Sequence, residues 1–357
     1  MHTLAIDSSS AQKQNRTGVE WYAYHLIEAI KRQPLRNDER VVLFSRDTLK
    51  WSLPFGWMKG RVSWEMLRRP PDVLLVPAQG LPLLGTCAAV VHDVGFRRVP
   101  GVYDPSDRRK QTSELNHVLR RAKIVFVVSD FTKRELTDLY GLDTGRVVVA
   151  PNAVNRDVYR PLDNAMITQV CQKLRVGNHY FLYVGRMDAK KNVKTVIRAF
   201  ELFKASRGTG DPFELLLVGS PGFKFWEIKA FVDRSPAKAS IRTFGYLPEN
   251  EVASLMNGAS TFLFPSWYEG FGVPPLEAAA CGAPLIVSDI GAHREVLGNA
   301  ALFVAPGEPE AWAKAMQRVT NDPDLVARLR AGGFERAAAY SWDKTAEVVL
   351  LTLRGMV

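Results

Sequence analysis

The chain reads as an α/β protein of two doubly wound, Rossmann-like parallel-sheet domains. Three observations predict this. First, short apolar runs without polar alternation recur: LAIDSS (4–9), VVLFS (41–45), DVLLVP (72–77), AAVVHD (88–93), IVFVVSD (124–130) and VVVAPNAVN (147–155). Runs of this kind suit strands buried on both faces. Second, helical patterns alternate with them, which favours parallel strands joined by crossovers. Third, the alternation pauses at a polar, proline-marked connector (156–178) and then restarts. The 357 residues give room for two ordinary domains.

Each element has its own signal. Thr17-Gly18 opens an amphipathic helix through Arg32, with Trp21, Tyr24, Leu26 and Ile30 among its apolar positions. Residues 46–71, rich in Trp, Pro and Arg, resist assignment and suit a variable acceptor-side segment. A basic, polar helix is expected from Pro105 to Arg121, and Ser129 or Asp130 can cap the helix FTKRELTDLY. The second half continues with strands FLYVGR (181–186), FELLLVG (213–219), IRTFG (241–245), TFLFP (261–265), LIV (285–287) and ALFVAP (301–306). Helices are expected at 192–206, 224–233, 248–256, 308–319, 322–337 and 341–355. The domains expected are 1–165 and 166–340, with a terminal helix (341–357) that crosses back to the first.

Composition narrows the function classes. Hydrophobic content of 46% and charged content of 24% are those of a globular protein. No run of about eighteen uninterrupted apolar residues occurs. The start MHTLAIDSSS has no basic n-region, so it reads as a first strand and not a secretory signal. Cys87, Cys171 and Cys281 are scattered, which argues against a disulfide framework or a zinc site and suits a reducing cytoplasm. The net charge is +10, of which +8 falls in residues 1–160. Basic pairs stand at Arg68-Arg69, Arg97-Arg98 and Arg120-Arg121, with a triplet at Arg108-Arg109-Lys110. This suits an anionic partner such as a membrane surface, reached through the basic N-terminal half, or else a solvated face with no partner. No helix-turn-helix, zinc-finger or RNP-like spacing speaks for nucleic acid.

The chemistry centres on 264–289, FPSWYEGFGVPPLEAAACGAPLIVSD. It reads as strand, glycine loop, helix, strand. Pro274-Pro275 suit a first helical turn, and Ala278, Ala279 and Ala280 keep the helix thin. Its N-terminus is expected to offer free N–H groups and partial positive charge. Glu269 lies in the loop and Glu277 in the first turn. Singly, Glu269 reads as a solvated loop residue and Glu277 as a complement to the helix dipole. Together, beside Gly270, Phe271, Gly272 and Val273 at a strand's carboxyl end, they mark a ligand site. A second cluster is GRMDAKKN (185–192), where Arg186 and Lys191 flank a short turn after Gly185. For the letters alone this is a solvated charge run; beside a helix start it is also a diphosphate clamp.

The string EGFGVPPLEAAACGAPLIVSDIGAHREVLG (269–298) closely resembles the Glu-x7-Glu signature of retaining GT-B glycosyltransferases of family 4. The resemblance implies two Rossmann-like domains facing across a cleft that closes on a nucleotide-sugar donor. It implies that Gly185, Arg186 and Lys191 bind the donor diphosphate, that Gly219 and Ser220 of LLLVGSPG border the nucleotide, and that Tyr246 and Leu247 of FGYLP approach the base. By the same resemblance Glu269 and His92, of the HDV string, hold the donor sugar, and Glu277 holds the ribose. Gly18 resembles a family glycine near the diphosphate, although the fuller double-glycine form is missing, so Gly18 also reads as a simple turn residue. A lone histidine is more often structural. Asp93 is read as orienting loop backbone, and Lys190 as an exposed neighbour.

The reaction expected is hexose transfer onto a hydroxyl with retained configuration. It uses no metal and no cofactor beyond the donor, with Arg186, Lys191 and the helix N-terminus stabilising the leaving diphosphate. LFPSWYEGFGVPPLEA and HDVGF look most like bacterial mannosyltransferases of surface-polysaccharide assembly. GDP-mannose is therefore favoured over UDP-glucose, with a lipid-linked or growing glycan as acceptor. The expected place is the cytoplasm, peripheral on the inner membrane face. Rival readings are a carboxylate-pair hydrolase, a nucleotide-sugar epimerase and a non-catalytic sugar-nucleotide or glycan binding protein.

Overall fold

A computed structural model describes residues 2–13, 16–53, 56–78, 80–208 and 210–357. It divides into two compact units. One comprises residues 2–97, 105–152 and 341–357; the other comprises 98–104 and 153–340. Residues 153–165, read from the sequence as part of the first half, thus belong to the second.

The first unit holds one parallel sheet of six strands: β1 (His2–Asp7), β2 (Glu39–Phe44), β3 (Val73–Val76), β4 (Cys87–Val91), β5 (Ile124–Val127) and β6 (Val147–Val149). Their order is β2-β1-β3-β4-β5-β6. Strands β3 and β4 are buried at every position, as parallel strands covered on both faces must be. The chain turns opposite ways from β1, to β2 on one side and β3 on the other, so the switch point lies there. The helix Pro105–Arg121 forms over the expected residues. Ser129, not Asp130, caps the next helix: its Oγ accepts from the Thr132 amide at 3.0 Å. Residues 57–68 are helical, a π-helical turn (Trp57–Val62) running into an α-helix (Ser63–Arg68).

The last helix, Trp342–Arg354, packs on the helix Gly18–Arg32 of this unit. Arg32 pairs with Asp343 at 2.8 Å, the Thr345 hydroxyl donates to the Pro151 carbonyl at 2.9 Å, and Arg354 pairs with Glu39 at 2.7 Å. The hydrogen bond from Arg354 is the main reason the Glu39 carboxyl titrates below its ordinary value.

The second unit repeats the plan. Its strands are β7 (Tyr180–Val184), β8 (Glu214–Val218), β9 (Ile241–Phe244), β10 (Thr261–Phe264), β11 (Leu285–Ser288) and β12 (Ala301–Val304), all parallel, in the order β12-β11-β10-β7-β8-β9. The switch point lies between β7 and β10, which pair directly. The two sequence clusters, 185–192 and 265–272, leave the sheet at the carboxyl ends of these two strands. The helix Val273–Ala280 is fixed from behind by Pro323–Ala339, whose Gly333 lies so close that an added Cβ would sit 3.4 Å from Ala279.

Among this unit's described glycines, Gly219 makes the closest approach to other backbone. Its φ is +148°, and a Cβ there would overlap the Gly185 carbonyl oxygen. Gly219→Ala is expected to cost at least about 1–3 kcal/mol in backbone strain. That corresponds to a fall in Tm on the order of 5 °C, read by thermal denaturation. An unchanged melting curve would contradict the close approach.

Candidate functional site at the second switch point

Four loops are tied together above β7 and β10. The Met187 amide donates to the Ser220 carbonyl at 2.9 Å, and the Gly222 amide to Met187 at 3.0 Å. These bonds join the loop after β7 to the loop after β8, with Gly185 and Gly219 back to back. The Tyr183 hydroxyl donates to the Arg186 carbonyl at 2.9 Å. Asp188 caps the 3₁₀ turn Ala189–Lys191 by accepting from the Lys191 amide at 3.1 Å. Asn192 then adopts a left-handed conformation, φ 55°, one that Asn accepts more readily than most residues. Its amide group donates to the carbonyls of Pro265 and Pro306 at 3.0 and 2.7 Å, which fastens the loops after β10 and β12. Sequence reasoning took Asn192 only as a helix start; its position after a two-lysine turn was the available signal.

Lys191 Nζ lies 2.6 Å from Glu269 Oε1, and only 14% and 10% of these side chains are exposed. The ammonium also lies over the Phe264 ring, 4.9 Å from its centroid. Burial pushes the Glu269 carboxyl up, but the charges of Lys191 and Lys190 and the bond from Lys191 outweigh it and hold it at about 2. Glu269 is therefore no solvated loop residue. Arg186 is different: 61% of its side chain is exposed, with Nε 3.9 Å from Asp188 Oδ2. Lys190 is half-buried, with its ammonium 5.7 Å from the Tyr103 ring centroid, and so is not the exposed neighbour expected.

Glu277 has the opposite character. Burial pushes its carboxyl up to about 8, and the Glu249 carboxylate pushes the same way. It lies on the second turn of Val273–Ala280, not the first, so it does little to complement the dipole. The expectation of free amides at this helix start also needs correction. Pro274 and Pro275 supply none. Among the described residues, however, the amides of Phe271, Gly272 and Val273 meet no acceptor, so three consecutive donors remain for an anion. The Phe271 ring itself packs edge-on against Tyr340, centroids 5.1 Å apart.

His293 was missed. It is fully buried behind Gly272, whose φ is +102° and where a Cβ would come within 2.9 Å of the imidazole. Its Nδ1 lies 2.9 Å from the Ser288 carbonyl and must donate, since a carbonyl only accepts. Nε2 is then a bare acceptor, buried without a partner among the described residues. Burial lowers its pKa to about 4, so the ring is neutral at pH 7. After β9, Tyr246 is exposed and Leu247 half-buried.

In the first unit, His92 follows β4 directly. Its Nε2 lies 2.9 Å from the Pro77 carbonyl, at the end of β3. That contact fixes the Nε2–H tautomer and leaves Nδ1 as an acceptor, while burial lowers the ring's pKa. The Tyr22 ring meets His92 edge-on at 4.9 Å, and Trp342 of the last helix meets Tyr22 at 5.4 Å. Asp93 accepts from the Gly95 amide at 3.0 Å, an interaction that orients the loop backbone. Gly18 is exposed at the first position of its helix, and a Cβ there would meet nothing within 4 Å, so neither strain nor crowding within the chain requires glycine.

Among the described residues, no group of three His, Cys, Asp or Glu side chains is placed to hold a metal. The triplet Asp322-Pro323-Asp324 is a helix start, where Asp322 accepts from the Leu325 amide at 2.8 Å.

Two family models match the chain: "Glycosyltransferase Family 4" over residues 16–158 and "Glycosyl transferases group 1" over residues 171–336. The O-antigen chain mannosyltransferase B of Escherichia coli is 32% identical over 341 residues, 95% of this chain and 83% of that protein. The O-antigen chain mannosyltransferase RfbU of Salmonella typhimurium is 28% identical, covering 75% of this chain and 69% of that protein. Among solved structures, Anabaena HepE in complex with UDP-glucose superposes with a TM-score of 0.77 at 15% identity, over 99% of this chain and all of that one. With two six-stranded parallel sheets in sequence, the fold is GT-B.

The two carboxyls should leave opposite marks on stability. Glu269 is held below its ordinary value, so its contribution is complete above about pH 4.5 and is lost as pH falls toward 2. Lys191→Met should cost on the order of 3–5 kcal/mol at pH 7 by stranding a buried charge, and pairing it with Glu269→Gln should recover most of that. Glu277 is raised, so it costs stability as pH rises from 4.5 through 8, and Glu277→Gln should be relatively more stable at pH 8 than at pH 5. Urea denaturation across this range measures both. Parallel pH curves for wild type and both single variants would refute these assignments.

Proposed function

The chain belongs to glycosyltransferase family 4, and from that membership we propose that it moves mannose from GDP-mannose onto a hydroxyl of a lipid-linked or growing polysaccharide, with retention and without a metal. Membership sets aside the hydrolase and epimerase readings. The observation that carries the proposal is the buried Lys191 ammonium at the switch point, in the loop cluster that also holds three acceptor-less amides. A diphosphate suits such a place: it offers acceptors to the amides and negative charge to Lys191 and to exposed Arg186.

The roles follow from the chemistry. As the glycosidic bond breaks, charge collects on the leaving diphosphate, and Lys191, Arg186 and the amides of 271–273 stabilise it. Glu269, ionised and oriented by Lys191, accepts from a sugar hydroxyl. His92, with Nδ1 bare, is suited to accept from another. Glu277 takes the two ribose hydroxyls, and Tyr246 and Leu247 border the base beside Gly219 and Ser220. The mannosyl preference is supported by the two O-antigen mannosyltransferases. A second reading, UDP-glucose, is supported by HepE, whose complex holds that donor.

Two measurements test this. Labelled sugar transfer should proceed with GDP-mannose, and Arg186→Ala should weaken GDP binding roughly tenfold to a hundredfold, as for loss of a charge-assisted contact. Transfer from UDP-glucose alone would favour the second reading, and undiminished GDP binding would remove Arg186 from the clamp. Binding should also expel a proton. Hydroxyl donors favour ionised Glu277, whose carboxyl is otherwise held at about 8. Calorimetry at pH 7 in buffers of differing ionisation enthalpy should then show up to about one proton released, and none in Glu277→Gln.

A further inference from the structure

We infer that the face formed by the helix Ser63–Arg68 and the loop 83–85 docks on an anionic lipid bilayer. The helix buries Ser63 and Met66 and turns Trp64 and Leu67 outward, 58% and 64% exposed. These two are three residues apart and share one helical face. The loop between β3 and β4 adds Leu83 and Leu84, 50% and 45% exposed. The two segments are fastened side by side. The Leu83 amide donates to Ser63 Oγ at 2.8 Å, that hydroxyl donates to the Met58 carbonyl at 3.0 Å, and Gly85 lies so close to Met66 that a Cβ would overlap its side chain. Four large apolar side chains are thus held outward on two adjoining segments.

The charge around them is mainly basic; exposed Asp72, at the start of β3, accepts from the Thr3 amide at 2.6 Å. Arg68 and Arg69 are exposed at the end of the helix. Arg121, at the end of Pro105–Arg121, donates to the Gly85 carbonyl at 3.2 Å, which brings it and its exposed neighbour Arg120 to the same loop. The acid within the helix, Glu65, is turned inward and pairs with Arg61 at 2.7 Å, both side chains mostly buried. Trp and Leu ringed by arginines is the composition of a surface that inserts at an interface and is held by anionic headgroups. A second copy of the chain is a poor occupant, because it would bring the same arginines face to face. Each arginine near an anionic surface adds about fivefold to partitioning. The inference does not depend on which nucleotide sugar is used.

The test is flotation of the full-length protein with phosphatidylglycerol-containing vesicles and with pure phosphatidylcholine vesicles. Wild type should float with the anionic vesicles and far less with the neutral ones, and 0.5 M salt should weaken the binding. Trp64→Ser with Leu67→Ser, and separately Arg68→Glu with Arg69→Glu, should each reduce the bound fraction at least tenfold. Both should leave melting temperature and GDP affinity unchanged. Equal flotation with neutral vesicles, or variants that float like wild type, would overturn the inference. So would a dimer in sedimentation velocity that the apolar double variant dissolves, because the face would then serve self-association.

Discussion

A buried ion pair, Lys191 with Glu269, is the interaction on which the second unit's loops depend. Neither charge is tolerable there alone. An ammonium or carboxylate withdrawn from water costs several kcal/mol unless a partner offsets it, and these two face each other at 2.6 Å. The pair spans the switch point, from the loop after β7 to the loop after β10. Asn192, the next residue, then locks both loops to the one after β12. A cation has been placed where the sheet topology opens a crevice, and its cost is met by the carboxylate it faces.

The glycines and prolines nearby serve the same arrangement. Gly219 lets the loop after β8 touch the loop after β7, and Gly272 lets the chain pass over buried His293 to begin its helix. The paired prolines act twice. They fit the first turn, and they remove two donors from it, so the remaining anion-binding capacity shifts back into the glycine loop at 271–273. An anion bound there faces backbone that no helix turn of its own already engages.

Much of the fold was legible because parallel strands announce themselves as unbroken apolar runs, and twelve such runs can be ordered by the helices between them. The helix Pro105–Arg121 was legible to the residue from its proline start and basic end. The segment 57–68 was not. A π-helical turn shifts the apolar spacing away from 3.6, so Trp57, Val62 and Met66 face inward without a readable period. The short helix Gly291–Leu297 was hidden for a related reason: it is too brief to show periodicity, and it opens on a glycine. At the site, Glu269, Lys191 and the glycine loop were legible as a pattern. Their pairing was not, because letters 78 positions apart carry no sign of a contact. Neither were Asn192 and His293, whose importance lies in what their ring and amide atoms meet.

The two carboxyls show why spacing alone underdetermines chemistry. Glu269 and Glu277 are the same residue type on the same loop and helix, yet one is held at about 2 and the other at about 8. Burial pushes both up, and the difference lies in charged neighbours: lysines beside the first, a second acid beside the second. An ionised carboxylate locked to a lysine is a poor nucleophile and a good, oriented acceptor. A carboxyl that holds its proton until hydroxyl donors arrive is suited to sense the sugar of a nucleotide. Two glutamates so divided are better matched to holding two parts of one ligand than to attacking and protonating a single bond, and this physical asymmetry agrees with the family to which the chain belongs.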